Sequence, residues 1–533
     1  MHKRPLDPHL RVGAVQIVEA TAISVSVKRE NASMPLTGYG EESLPITYGT
    51  YIAFPCPDSS ILLGRVSEVQ GPILNSPNII IKCQILCSYS TIKSEAERGI
   101  LCHPVVGSDA FVVTPDLIPL FLGESKGRSI SIGTINAAKN PLKVSMKDIF
   151  ARHCAIVGNT GSGKSWSLAS IIEKTTSHDV RVILLDATGE FVDLPQSIAS
   201  HVDLGSQQSA PHSNLVSFTY RNLTVEDMFA FFKPSPQAQA PILKEAIKTL
   251  KLIEGGFLQG NANANRNFKK DNASRSAYEA GYARGHAKAT SSSCDFSLDD
   301  LVEQIKYECI NIDTWATDTR QIGYQQTLIL RIENWKNTAE LKCLWDTNLP
   351  SLTDEVNTFL TGTKKVLRIS LKHLSFEFST REIVVNAFCR YLMRKARAGE
   401  FNSNPLIFAV DEAHNFFRPS VKFGDDEVTS ESLDIIAKEG RKYGLMLLLA
   451  TQRPKDIPQG VMSQIGTVIC HRITNMSDAE ILKGTVGEFN RHIISALPTL
   501  TQGEAFVTTP NFTFPVSLIV EKPSFEPKSR DPI

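Results

Sequence analysis

The residues best suited to chemistry are Gly158-Asn159-Thr160-Gly161-Ser162-Gly163-Lys164-Ser165. They follow an apolar run, Cys154-Ala-Ile-Val, and open a helical pattern at Ser165, Leu168, Ile171 and Ile172. In that setting glycines let the backbone wrap a phosphate and turn its N–H groups inward, at the positive end of the helix. Lys164 would reach the β- and γ-phosphates of ATP, and the Ser165 hydroxyl would ligate Mg²⁺. A second constellation, Leu406-Ile-Phe-Ala-Val-Asp411-Glu412-Ala-His414, places two acids at the end of an apolar strand. Buried carboxylates are costly unless a cation or hydrogen bonds meet them. Asp411 is therefore the candidate Mg²⁺ contact, and Glu412 the base that activates the attacking water. These residues predict hydrolysis of ATP as well as its binding.

Further polar residues close other apolar runs. Thr451-Gln452 follows Leu448-Leu-Ala, where Gln452 either senses the γ-phosphate or simply caps a loop. Arg441, in Glu439-Gly-Arg-Lys-Tyr-Gly444, and Arg152, just before the glycine-rich loop, are each either a charge that completes a neighbour's site or an ordinary surface arginine. Asp186, in Val182-Ile-Leu-Leu-Asp186-Ala-Thr-Gly189-Glu190-Phe191, serves Mg²⁺ or the turn itself.

These side chains need a scaffold with several buried strands. Val182–Asp186, Val366–Leu371, Leu406–Asp411 and Leu445–Ala450 are nearly continuous apolar runs, as a parallel sheet covered on both faces requires. The middle of the chain is thus an α/β core. Before it, Val12–Val18, Ile61–Val66 and Ile79–Leu86 are short strands separated by Gly, Pro, Ser and Asn, which fits a small β-barrel or sandwich. Leu243, Ala246, Ile247, Leu250 and Ile253 fall at helical spacing, as do Leu301, Ile305 and Cys309. The predicted organisation is a β-domain over 1–135, an α/β core over 136–223 and 361–520, a helical insertion over 224–360, and a Pro-rich tail over 521–533 that lies on a neighbour or hangs free. Within the insertion, residues 255–293 are polar, rich in Gly, Ala and Asn, and mildly basic; they predict a surface loop, or else a nucleic-acid or partner contact.

Composition limits the partners. Lys+Arg and Asp+Glu both number 56, so the chain has no general attraction for nucleic acid, and any DNA contact must come from basic groups gathered on one surface. The ten cysteines are scattered; Cys83 and Cys87 lack a second pair at zinc spacing and fit half-buried strand positions. Dispersed thiols, no apolar leader after MHKRPLDPHL and no apolar run of about 18 residues predict a cytoplasmic protein without a membrane anchor.

Together the motifs resemble the HerA family of hexameric DNA translocases, in the HerA/FtsK branch of P-loop ATPases. The resemblance spans about 130–510: Arg152–Ser165, Asp186 with Gly189-Glu190, Val410–His414, Glu439–Gly444, Thr451–Pro454, Ser463-Gln464 and Gly503-Glu504-Ala505. It implies a RecA-like P-loop core preceded by a β-barrel, a homo-hexameric ring with ATP at the subunit interfaces, and double-stranded DNA in a central channel. By the same resemblance Lys164, Ser165, Asp411, Glu412 and Gln452 act in cis, while Arg441 and Arg152 read the nucleotide, at least one of them from the neighbouring subunit. Arg418 and Lys422 are candidate channel residues, although Asp425, Asp426 and Glu427 lie beside them. The family also implies a partner effector, either a nuclease or a sirtuin-like NAD-consuming enzyme, in DNA processing or anti-phage defence. An alternative is an ATP-binding ring that assembles an effector with little translocation.

Overall fold

A computed structural model describes residues 6–28, 36–37, 43–44, 46–71, 78–123, 127–136, 138–259, 266–417, 421–423, 426–428, 432–485 and 491–528. The chain forms two compact units, 1–178 with 448–526, and 179–447 with 527–533.

The first unit begins with an antiparallel barrel. Its strands run in the order Ala22–Lys28, Arg11–Val18, Asp109–Val112, Tyr51–Pro55, Ser60–Gln70 and Asn78–Ser90. The last pairs back onto the first and closes the ring, with Glu95–Arg98 attached outside. Alternating side chains point inward, so Ile23, Val25, Val27, Ile52, Phe54, Leu62, Val66 and Ile81 form one core. Cys83 and Cys87 lie in strand Asn78–Ser90, where both are wholly buried.

The same unit carries the strand before the glycine-rich loop, His153–Val157, every residue of it buried. It pairs in parallel with Leu445–Thr451 on one side and Ile465–Cys470 on the other. Outward from Ile465–Cys470 follow Glu504–Thr508, Val516–Val520, Ser129–Ile135 and Pro141–Ser145, all antiparallel. Part of the tail runs along its own chain: Glu521 pairs with Lys174, and the Ser524 amide donates to Glu173 at 2.8 Å.

In the second unit the strand order is Leu406–Val410, Arg181–Asp186, Val366–Ser370, Ala199–Asp203 and Asn214–Leu215, parallel throughout. Burial on both faces accounts for the unbroken apolar runs. Helices Val225–Phe232, Ala240–Glu254, Arg275–Ala289, Leu301–Glu308, Thr319–Asn337 and Leu352–Thr361 lie between the strands Asn214–Leu215 and Val366–Ser370.

Much of the polar stretch 255–293 is ordered differently from the predicted loop. Arg275–Ala289 is a helix that turns Tyr278, Gly281, Gly285 and Ala289 inward. Its two glycines allow close approach: a Cβ on Gly281 would stand 2.4 Å from Leu258, and one on Gly285 2.4 Å from Leu252. Apart from Tyr278 the inward stripe is made of small residues, which carry no apolar periodicity. Beneath it the buried Lys270 pairs with buried Glu308 and lies 3.9 Å from the centre of the Tyr278 ring. Glu308 also accepts from Thr249 at 2.6 Å and Gln304 at 2.9 Å, so this charge is met on several sides.

Candidate nucleotide-binding site

The phosphate loop is shaped by its glycines and by the ends of three strands. Gly161 and Gly163 adopt φ of 71° and 112°, and Gly163 caps helix Lys164–Thr176. A Cβ on Gly158 would come within 2.6 Å of Ser162 Oγ and 2.7 Å of His471, so the first glycine is fixed by packing. The Gly158 amide donates to Thr451 and the Asn159 amide to Arg472, tying the loop to the two flanking strands. The Ser162 hydroxyl folds back onto the Asn159 carbonyl at 2.7 Å, and the Gly503 amide donates to the Ser162 carbonyl at 3.0 Å. Lys164 is buried and Ser165 half-buried at the helix N-terminus. This arrangement gathers the N–H groups of a helix start, an amine and a hydroxyl at one place, a donor set suited to an anion and a hard cation.

Gln452 belongs to this loop. Its Oε1 accepts from the Thr160 hydroxyl at 2.7 Å, which links the residue after the strand Leu445–Thr451 to the tip of the phosphate loop.

A histidine that the motifs did not single out supports the loop from below. His471 follows strand Ile465–Cys470 and has no exposed surface. Its Nδ1 lies 2.9 Å from the Glu504 carbonyl and therefore donates, which leaves Nε2 to accept from the Ser167 hydroxyl at 2.7 Å. Burial pushes this imidazole down to about 4; the Lys164 charge adds to the effect and the Glu504 carbonyl opposes it. Gly503-Glu504 thus contributes through its backbone, one residue to the phosphate loop and the other to the histidine.

In the second unit, strand Leu406–Val410 delivers Asp411 and Glu412, which are 1% and 8% exposed. The Asp411 amide donates to Leu185 at 3.1 Å, so the acid is set by the neighbouring strand. Glu412 adopts φ 46° and ψ 45°, a left-handed conformation that costs a non-glycine residue free energy. Its Oε2 lies 3.4 Å from His414 Nδ1.

Asp186 has the structural role of the two left open. One carboxylate oxygen accepts from the Gly189 and Glu190 amides at 2.7 and 3.1 Å, and the other from Phe191 at 3.1 Å and Arg368 Nε at 2.7 Å. Both members of the ion pair are wholly buried. Arg381 completes the fastening, donating to the Leu374, Ala187 and Lys372 carbonyls.

Two family models cover three-quarters of the chain: "Helicase HerA, central domain" matches 130–392 and "Helicase HerA-like C-terminal" matches 392–529. The chain belongs to the HerA helicase family. It is similar to a probable helicase of Methanocaldococcus jannaschii, with 22% identity over 87% of this chain and 85% of the relative. It is also similar to the DNA double-strand break repair helicase HerA of Sulfolobus acidocaldarius, at 20% identity over 96% and 92% of the two chains. Among solved structures, VirB4 of Thermoanaerobacter pseudethanolicus is similar with a TM-score of 0.49 and 13% identity, covering 75% of this chain and 98% of that one. As a HerA-family member this protein is an ATPase.

Arg152 and Arg441 are both exposed. Arg152 rests its aliphatic stem over Gly466, where a Cβ would stand 2.7 Å from its own. Arg441 sits in the turn Gly440–Tyr443. Arg418 and Asp425 lie outside the described residues, as do the side chains of Lys422, Asp426 and Glu427. Among the described residues no helix is long and apolar enough to cross a membrane.

Proposed function

We propose that this HerA-family ATPase is a motor that forms a homo-hexameric ring and moves along, or unwinds, double-stranded DNA. The observation that carries the reading is the Thr160–Gln452 hydrogen bond, which puts a residue of the third motif on the phosphate loop of a chain matched by both HerA models. Through that bond a change at the γ-phosphate reaches the strand Leu445–Thr451 directly.

In the proposed division of labour, Gly158 to Gly163 and Lys164 hold the phosphates, and Ser165 and Asp411 hold Mg²⁺. When bound, the metal neutralises charge on the phosphate oxygens. Glu412 takes a proton from the attacking water, and the strained backbone at this residue fixes where its carboxylate stands. Gln452 orients the water or senses the γ-phosphate. Arg441 or Arg152 supplies positive charge to a neighbour's nucleotide, which their exposure permits. We assign the motor to the cytoplasm, and its effector to another chain, either a nuclease or a sirtuin-like NAD-consuming enzyme, in DNA processing or anti-phage defence.

The deciding experiment is steady-state ATP hydrolysis with and without linear duplex DNA, using Glu412→Gln as the blank. Several-fold stimulation by DNA is expected. Turnover that ignores DNA would reject translocation in favour of a ring that only assembles its effector, a reading consistent with the balanced net charge. Sedimentation of the ATP-bound Glu412→Gln protein tests the six-fold ring.

A further inference from the structure

Helix Thr380–Arg397 carries Arg390, Arg394 and Arg397 at spacings of four and three residues, which align them on one face. That face lines a cavity of about 460 Å³ in the second unit. Arg221 enters the cavity from the turn Tyr220–Asn222, and Thr224, Ser292 and Ser293 add hydroxyls. Among the described residues that line it there is no carboxylate.

The acids that steady these arginines stand outside the lining. Arg221 meets Asp295 at 3.0 Å, Arg397 meets Glu439 at 2.8 Å, and Arg390 pairs with Asp227. A guanidinium has five N–H donors, so each pair leaves donors for a ligand. Arg394 is exposed and forms no ion pair among the described residues. Helix Val225–Phe232 starts at the same cavity, where Thr224 caps it and a capping box with Asp227 satisfies its first turn, so the cations of the cavity come from the arginines. The Val225 amide donates to the Ser292 carbonyl at 2.9 Å, which fixes the serine pair against that helix start. The polar stretch 255–293 therefore ends in this cavity.

The surroundings also favour an organic group over a bare ion. Leu223, Met393 and Ile435 give the cavity an apolar wall. A second hollow of about 400 Å³ shares Asn222 and Arg394 with the first and is lined by Tyr391 and Asn357. An aromatic ring and a side-chain amide are suited to a base or sugar. We propose that this arginine-lined cavity is a second phosphate-recognising site, built for a nucleoside phosphate and separate from the phosphate loop. Volumes of this size match small ligands, whereas a duplex would lie across the opening without filling it.

The test uses the full chain carrying Lys164→Ala, which removes the amine of the phosphate loop. Calorimetric titration with ADP should show saturable binding that weakens about tenfold or more on adding Arg394→Glu, and less on adding Arg394→Lys. Arg394 is exposed, so the unfolding midpoint of these variants should match the parent; Arg394→Gln replaces Arg394→Glu if it does not. Absence of saturable ADP binding, or binding indifferent to the charge reversal, would overturn the proposal. So would an Arg394-dependent complex with a short DNA duplex that ADP fails to displace, since the surface would then belong to the polymer.

Discussion

Protonating His471 should loosen the phosphate-loop region, and the size of the effect follows from its surroundings. The imidazole donates to the Glu504 carbonyl and accepts from Ser167, a residue of the first turn of helix Lys164–Thr176. A proton on Nε2 would turn that acceptor into a second donor and place a charge near Lys164. Burial above all, with the Lys164 charge adding to it, therefore holds the group near 4 in the folded chain, against an ordinary value of 6.5. The unfolded chain takes up the proton below pH 6.5 and the folded chain only near pH 4, so stability is complete above pH 6.5 and falls as the pH is lowered. Linkage between those two values gives a loss of about 2 kcal/mol at pH 5 relative to pH 8, rising to about 3 kcal/mol below pH 4. Hydrogen exchange read on strand His153–Val157 and helix Lys164–Thr176, corrected for intrinsic rates, should report this loss in the wild type and much less of it in His471→Gln. His201, buried in the second unit and also pushed down to about 4, is the internal comparison, because its effect should survive the substitution. Equal loss of protection in wild type and variant, or none in the wild type, would refute the reasoning.

Replacing Glu412 by glycine should abolish hydrolysis yet raise the unfolding midpoint, because glycine accepts the left-handed backbone that costs glutamate about 1 kcal/mol or more; a lower midpoint would show that the strain is not there to relieve. Asp186→Ala leaves Arg368 buried without its counter-charge and should destabilise the second unit by about 3–5 kcal/mol in denaturant titration. Arg441→Ala and Arg152→Ala should each leave fluorescent-ADP affinity nearly intact, and the one acting in trans should slow turnover about 10³-fold. Mixing that variant with Lys164→Ala subunits should restore some turnover, and failure to do so removes its in-trans role.

The parts of this molecule legible in sequence are those whose signal is local. Five strands of the α/β core, beginning near Cys154, Val182, Val366, Leu406 and Leu445, announce themselves because burial on both faces forces unbroken apolar runs, and the phosphate loop because its shape needs glycine at fixed intervals. The Arg275–Ala289 helix is hidden in sequence for a physical reason: after Tyr278 its inner stripe is Gly281, Gly285 and Ala289, and small residues carry no hydrophobic period. His471 was equally silent, since one partner, Ser167, is 304 residues away and the other is a backbone carbonyl. Asp186 could be read two ways until Arg368, 182 residues on, supplied the buried counter-charge. From sequence Gln452 fits a γ-phosphate sensor or a loop cap, and its contact with Thr160 across 292 residues is visible only once the strands are laid side by side.

The outer edges of the two strand runs have a consequence for assembly. In the first unit the run finishes on Pro141–Ser145, which opens with a residue that has no N–H to offer; in the second it finishes on Asn214–Leu215, only two residues long. Neither rim is a template on which another copy could extend the ladder. In the proposed ring, copies of this chain would therefore meet through side chains and not by continuing either of these two runs. Such contacts can be released and remade one at a time, whereas a sheet continued from subunit to subunit would weld the assembly into a rigid hoop.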